Sequence, residues 1–327
     1  MDRRRLLLTL PGLLAATAGV PVLAQQGYPS KPVRVVCGST AGALLDFATR
    51  LYAEKMAEVL RQPLVVENMA GASSVLAARN VIRSAADGYT LLTAANTLLA
   101  MPHLSRTAGF RAADFTPIGE MARSPSILVV SPASGFNSVD DVISAARAHP
   151  GKIAFASGGV GTVSHMAAEL FAEQARIKML HVPYKGVVPA VSDVVSNRVA
   201  LLIATPTSVE GLVKSGRLRV LAITSGERSD QYPAVPTFKD LGLPGATFEV
   251  WVGMFAPAGL GAPVLLALGK AMEAARNDAG IQRKLRDNGQ TISDLHTPEK
   301  FASFVAQEDL NLARLIGTAN ITTDSAS

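Results

Sequence analysis

Cysteine is nearly absent from this 327-residue chain, where Cys37 stands alone. A single thiol excludes an internal disulfide, a Cys-x-x-Cys redox pair and a thiolate zinc site. The five histidines, His103, His149, His165, His181 and His296, show no zinc-ligand spacing such as His-Glu-x-x-His. Aromatic residues make up only 5% of the chain, with one tryptophan, and no basic cluster is interleaved with them. That excludes a nucleic-acid surface of the usual kind. Past residue 20 no apolar run approaches membrane-spanning length without charges. A phosphate loop would need Lys-Ser or Lys-Thr after its last glycine, and a dinucleotide turn would need a third glycine; both are missing.

The N-terminus carries what the rest lacks. Arg3-Arg4-Arg5 precedes an apolar stretch over residues 6–20 and the small-residue site Val22-Leu23-Ala24. This reads as an export signal, cleaved after Ala24 to leave Gln25 first, and destined for the periplasm. Arg-Arg-Arg-Leu-Leu also fits a twin-arginine signal, so both export routes stay open. Removing 24 residues leaves 303, enough for two lobes. Without Asp2 and the three arginines, 28 basic residues face 25 acidic ones, a mild bias toward anionic ligands. Cys37 lies in the apolar run Val33-Arg34-Val35-Val36-Cys37 and reads as an inert core residue.

The most informative stretch is Ala156-Ser157-Gly158-Gly159-Val160-Gly161-Thr162-Val163-Ser164-His165. It follows a strand-like run and precedes a helical one. Such a turn lets backbone N–H groups converge at a helix start, where negative charge is favoured. Ser157, Thr162 and Ser164 add hydroxyls. The expectation is a cradle for a carboxylate, against a plain capped turn as the alternative. A second small-residue turn, Gly38-Ser39-Thr40-Ala41-Gly42-Ala43, follows the strand over 33–37 and precedes a helix. Two such turns could face each other across a cleft, because ligands of open α/β sheets bind beyond the carboxyl ends of the strands.

Strand and helix patterns alternate between these points. Strands are expected over 33–37, 64–67, 90–95, 127–131, 153–156, 179–183, 199–204, 218–224 and 248–257. Helices are expected over 44–60, 74–86, 138–148, 165–174, 189–197, 208–214, 263–277, 280–288 and 298–316. The alternation predicts α/β sheets with helices on both faces, closed by a helical tail. Trp251 and Phe255 read as core or hinge packing, His165 as ligand contact or cap, and His181 as a satisfied sheet histidine. Tyr184-Lys185-Gly186 offers a hydroxyl and an ammonium beside a strand end, or simply a solvated turn. Gly38-Ser39-Thr40-Ala41-Gly42 lacks the serine of a nucleophile elbow, so no catalytic residue is expected.

Several segments together resemble one family. They are Tyr28-Pro29-Ser30-Lys31-Pro32-Val33-Arg34, Pro63-Leu64-Val65-Val66-Glu67-Asn68, Asp87-Gly88-Tyr89-Thr90-Leu91-Leu92, and the glycine turn with Ser164-His165. His181-Val182-Pro183-Tyr184-Lys185-Gly186, Val235-Pro236-Thr237 and Phe255-Ala256-Pro257-Ala258-Gly259 extend the match. In order and content the chain resembles the Bug-type substrate-binding receptors of tripartite tricarboxylate transporters. The resemblance implies a two-lobed type II periplasmic binding protein (Venus flytrap) fold with the ligand cleft between lobes. It implies lobe 1 over 25–125, lobe 2 over 126–248 and a return to lobe 1 over 249–327. It also implies capture of a small carboxylate for delivery to membrane permease subunits by a monomer without cofactor or metal. A sensor subunit that docks a membrane signalling protein is the alternative.

The resemblance further implies that Ser39, Thr40, Gly42, Ala43, Asn96 and Thr97 border the ligand from lobe 1. From lobe 2 it implies Ser157, Gly158, Val160, Gly161, Thr162, Ser164, His165, Tyr184, Ala204 and Thr205. Two departures bear on specificity. The family's first turn usually reads Pro-Phe-x-Pro-Gly-Gly-x-x-Asp, and here only one glycine, Gly42, and Asp46 remain. The family's Val-Asp-x-x-Phe-Asp has become Val199-Ala200-Leu201-Leu202-Ile203-Ala204, without either acid. A carboxylate with an apolar or aromatic body is expected over an amino acid.

Overall fold

The computed structural model describes residues 27–292, 294–319 and 321; the expected export signal lies outside them. The first strand, β1 (Val33–Cys37), is buried along nearly its whole length. Helix α1 (Leu44–Leu60) buries Leu45, Ala48, Leu51, Tyr52 and Met56, a three-and-four spacing that forms one apolar face. It stops at Arg61, which turns left-handed ahead of Pro63. Strand β2 (Leu64–Asn68), helix α2 (Val75–Ile82), strand β3 (Thr90–Ala95), helix α3 (Thr97–Leu104) and strand β4 (Phe115–Pro125) follow.

The second half begins with β5 (Ile127–Val130), α4 (Val139–Ala148), β6 (Ala154–Ser157), α5 (Val163–Ala175) and β7 (Leu180–Pro183). It continues with α6 (Val187–Val195), β8 (Leu201–Ala204), α7 (Pro206–Lys214) and β9 (Arg219–Ile223). The chain then returns through β10 (Glu249–Pro257) to α8 (Ala262–Asn277), α9 (Ala279–Asp287) and α10 (Pro298–Thr318).

Two five-stranded sheets result, ordered β2-β1-β3-β10-β4 and β7-β6-β8-β5-β9. β1 runs parallel to β2 and β3, whereas β10 inserts antiparallel between β3 and β4. In the other sheet β6 is parallel to β7 and β8, and β5 antiparallel to β8 and β9. Each sheet with its helices is one lobe. The β4–β5 and β9–β10 connections cross between lobes side by side. Ser126 N–H donates to Thr224 Oγ1 at 2.8 Å, Thr224 N–H donates to the Ser126 carbonyl at 2.9 Å, and Phe248 N–H donates to the Thr224 carbonyl at 2.9 Å.

One buried apolar cluster spans both lobes, from Leu98 and Leu99 through Trp251 and Phe301 to Phe155 and Phe171. Trp251 packs edge-on against Phe301 and Phe304 of α10, a core role. Cys37 is fully buried. Among the described residues no helix is long and apolar enough to cross a membrane.

The sequence patterns miss two elements. β4 contains Pro117 and Gly119, which read as turn signals, but it is an edge strand, where proline is tolerated. α3 is short and carries Pro102, so its periodicity is weak. The second helix is also shorter than its pattern: it starts at Val75, after the left-handed Ser73 and Ser74, and ends at Ile82 rather than at residue 86.

Candidate functional site

The carboxyl ends of β1, β3, β6 and β8 open on a cavity of about 320 Å³ between the lobes. Lobe 1 lines it with Gly38, Gly71, Ser73, Ser74 and Thr97. Lobe 2 contributes Thr162, Val163 and Ser164 at the start of α5, Val187 at the start of α6, and Ile203, Ala204, Thr205 and Ser208 around the start of α7. Every lining side chain is uncharged. An anion here would meet hydroxyls and backbone donors, without a lysine or arginine.

The glycine turn is internally braced. Ser164 Oγ accepts the Gly158 N–H at 2.9 Å and lies 3.0 Å from Thr162 Oγ1, which donates to the Gly159 carbonyl at 2.7 Å. Ser157 Oγ accepts the Gly159 N–H at 3.1 Å and meets His181 Nε2 at 2.6 Å. Gly161 N–H donates to His165 Nδ1 at 3.0 Å. The hydroxyls expected to hold a carboxylate are therefore engaged in holding the turn. What they leave is the start of α5, which Thr162 does not cap with its side chain. Its first-turn N–H groups, at Val163 and Ser164, sit on the cavity wall and are the available donors. α3 and α7 also start without a side-chain cap, beside the lining residues Thr97 and Thr205.

The other expected residues separate by role. Of the sixteen, Thr97, Thr162, Ser164, Ala204 and Thr205 line the cavity. Asn96 does not: it is fully buried, its amide donates to the Glu249 carbonyl at 3.0 Å, and its side-chain oxygen accepts the Trp251 N–H at 3.0 Å. It fastens the end of β3 to β10. Gly161 is not among the lining residues either. Its φ is +73°, and a Cβ there would lie 2.4 Å from Leu104 Cδ1 of the opposite lobe. Glycine is needed for that angle and for close lobe contact.

Gly158, Val160 and His165 are likewise outside the lining. Tyr184 points its hydroxyl at Asp193 Oδ2, 2.6 Å away, and burial followed by the Asp193 hydrogen bond pushes its pKa up to about 12. Ser39, Thr40, Gly42 and Ala43 form a turn beside the cavity, outside its lining.

That first turn is tied down by Asp46. Its buried carboxylate accepts the Gly42 N–H at 2.8 Å, Arg50 Nε at 3.0 Å and Asn68 Nδ2 at 2.7 Å. The sequence reading missed Gly38, Gly71, Ser73, Ser74, Val163, Val187, Ile203 and Ser208 as lining residues. The run Ala70-Gly71-Ala72-Ser73-Ser74, a third small-residue turn after a strand, was the available signal. Among the described residues no group of His, Cys, Asp and Glu could hold a metal ion.

Two α/β lobes joined by paired crossovers around a donor-lined cleft define a solute-binding protein of the periplasmic type. The chain belongs to the tripartite tricarboxylate transporter family receptors, TctC, whose family model matches residues 48–321. This is a family of binding proteins, not of enzymes.

The chain is 33% identical over 316 residues to Protein BugT of Bordetella pertussis, covering 94% of this chain and 95% of BugT. It is similar in structure to MatC from Rhodopseudomonas palustris with bound malate, at 27% identity and TM-score 0.74, covering 88% of this chain and 100% of MatC. It is similar also to an R. palustris protein solved with adipate, at 30% identity and TM-score 0.77, covering 90% of this chain and 99% of that one.

Burial works to raise the Asp46 carboxyl, but hydrogen bonds from Arg50, the Gly42 amide and Asn68, with the Arg50 charge, outweigh it and hold it below the usual range. A folded pKa below the unfolded one contributes stability above about pH 4 that fades as pH falls through the folded value. Asp46→Asn should cost about 1–3 kcal/mol at neutral pH by thermal or denaturant unfolding. It should also flatten the decline of stability below about pH 4 relative to wild type. Parallel pH profiles for the two proteins would contradict this role.

Proposed function

We propose that this chain is an exported receptor that captures a small carboxylate between its lobes and delivers it to membrane permease subunits. The uncapped start of α5, facing a cavity with no charged side chain, carries the reading. The carboxylate sits against the Val163 and Ser164 N–H groups, with Ser73, Thr97, Thr205 and Ser208 supplying hydroxyls. Helix-terminal donors suffice for one carboxylate, because charge-assisted hydrogen bonds contribute about 1.5–3 kcal/mol each. Malate in MatC and adipate in the second neighbour are carboxylates of comparable size, which supports the class.

Specificity follows from what the wall lacks. Ile203, Ala204, Val163 and Val187 are apolar, and no acid faces the cavity to pair with an ammonium group. The receptor therefore takes a carboxylate with an apolar or aromatic body in preference to an amino acid. It acts as a monomer by lobe closure, with boundaries near residues 125 and 248, where the paired crossovers lie. A sensor that docks a membrane signalling protein would use the same cleft, and no contact in the structure favours it.

A thermal-shift panel of adipate, malate, benzoate, aspartate and glutamate tests the ligand class. A bound acid at about a hundred times its Kd adds roughly 2.7 kcal/mol of stability, so hits are unmistakable. Stabilisation by benzoate or adipate without stabilisation by aspartate or glutamate is expected, and the reverse pattern would overturn the assignment. Export is tested separately: N-terminal sequencing of periplasmic protein should begin at Gln25. An intact Met1 in the cytoplasm would contradict it.

A further inference from the structure

Behind the glycine turn, His165 and His181 lie ring on ring, their centroids 3.7 Å apart and their planes within 9°. Phe155 of β6 stacks on His181 at 4.9 Å. His165 is 4% exposed. Its Nδ1 accepts the Gly161 N–H, and a backbone N–H can only donate, so Nδ1 carries no proton. The neutral ring then bears its hydrogen on Nε2, which faces Glu169 Oε1 at 3.5 Å. This hydrogen-bonded arrangement selects one tautomer.

We propose that His165 is a positioning residue for ligand capture: its neutral Nε2–H tautomer fixes the turn that presents the α5 donors, and protonation of its stacked neighbour His181 disarms the cleft. The functional meaning of this rests on the carboxylate-cleft reading above.

The surroundings explain why neutrality matters. A proton on Nδ1 would place two hydrogens against each other at Gly161, and the turn would have to move. Gly161 also abuts Leu104 of the opposite lobe, so a displaced turn alters lobe contact as well as donor direction. The α5 helix contributes Glu169, whose Oε1 lies 3.5 Å from Nε2 and would be the counter-charge of an imidazolium. From β6 come only Phe155 and the Ser157 hydroxyl, and from β7 His181 itself. On α6, Asp193 is engaged by Tyr184 and Arg198.

Burial, then the facing His165, pushes the His181 pKa down to about 4. Because that lies below the unfolded value of about 6.5, the neutral ring contributes stability that is full above about 6.5 and lost as pH falls through the folded value.

Two substitutions separate positioning from mere filling. His165→Asn keeps an acceptor near the Nδ1 position and cannot be protonated in this range. His165→Leu fills space and orphans the Gly161 amide. Histidine side-chain nitrogen NMR on the ligand-free protein should show an unprotonated Nδ1 at His165 and a downfield Gly161 amide. Both signatures should be lost together as His181 protonates, near about pH 4. A protonated Nδ1 at neutral pH, or a Gly161 amide indifferent to either histidine, would overturn the proposal.

Adipate serves as the binding probe by calorimetry. At about pH 7.5, His165→Asn should bind within about threefold of wild type, and His165→Leu at least about tenfold more weakly. Wild-type affinity in His165→Leu would also overturn it. The NMR arm needs no ligand, so failure of adipate to bind would count against the carboxylate reading alone.

Discussion

The cleft depends on one constraint: an anion must be held where no cationic side chain reaches. A helix start can do this only if its N–H groups stay uncapped and point one way. In α5 the usual cap is absent, because the Thr162 hydroxyl turns back to the Gly159 carbonyl. Ser157, Ser164 and His165 close the remaining turn donors from behind. The polar side chains around the glycines thus make the turn rigid, and rigidity leaves the helix donors free. Preorganised donors bind charge without the cost of reorienting at the moment of capture.

The same logic extends across the molecule. A cleft that closes needs lobes that move about a fixed axis, and the paired crossovers at Ser126, Thr224 and Phe248 are stitched by their own backbone. Asn96 adds a second stitch, holding β3 to β10 just beyond the cleft. Behind them Arg123 makes a two-point pair with the buried Glu120 and lies over the Phe304 ring, which ties the last strand of lobe 1 to α10. α10 in turn reaches lobe 2 through the Arg314–Glu173 pair at 2.7 Å. Polar groups at the crossovers therefore hold the lobes in register.

Much of this was legible in the sequence. The α/β alternation, the uncharged strand end at Ala204, and Trp251 as packing all follow from residue type and period. The glycine turn was located, but the direction of its hydroxyls was not, since Ser and Thr accept or donate equally well toward ligand or backbone. Asn96 was expected near the ligand from the resemblance alone; the register of β3 against β10 brings Glu249 and Trp251 within its reach. β4 and α3 escaped because Pro117 and Gly119 in the one and Pro102 in the other mask their patterns. The His165–His181 stack joins residues from a helix and a strand, a proximity that spacing along the chain does not encode.

The central claim is that backbone donors at the start of α5, and not a side-chain cation, hold the carboxylate. A crystal structure of the complex with the acid that stabilises the protein most would test it directly. The carboxylate oxygens should lie about 2.7–3.1 Å from the Val163 and Ser164 amide nitrogens. A carboxylate bound instead to an arginine or lysine, with those two amides facing water, would contradict the account.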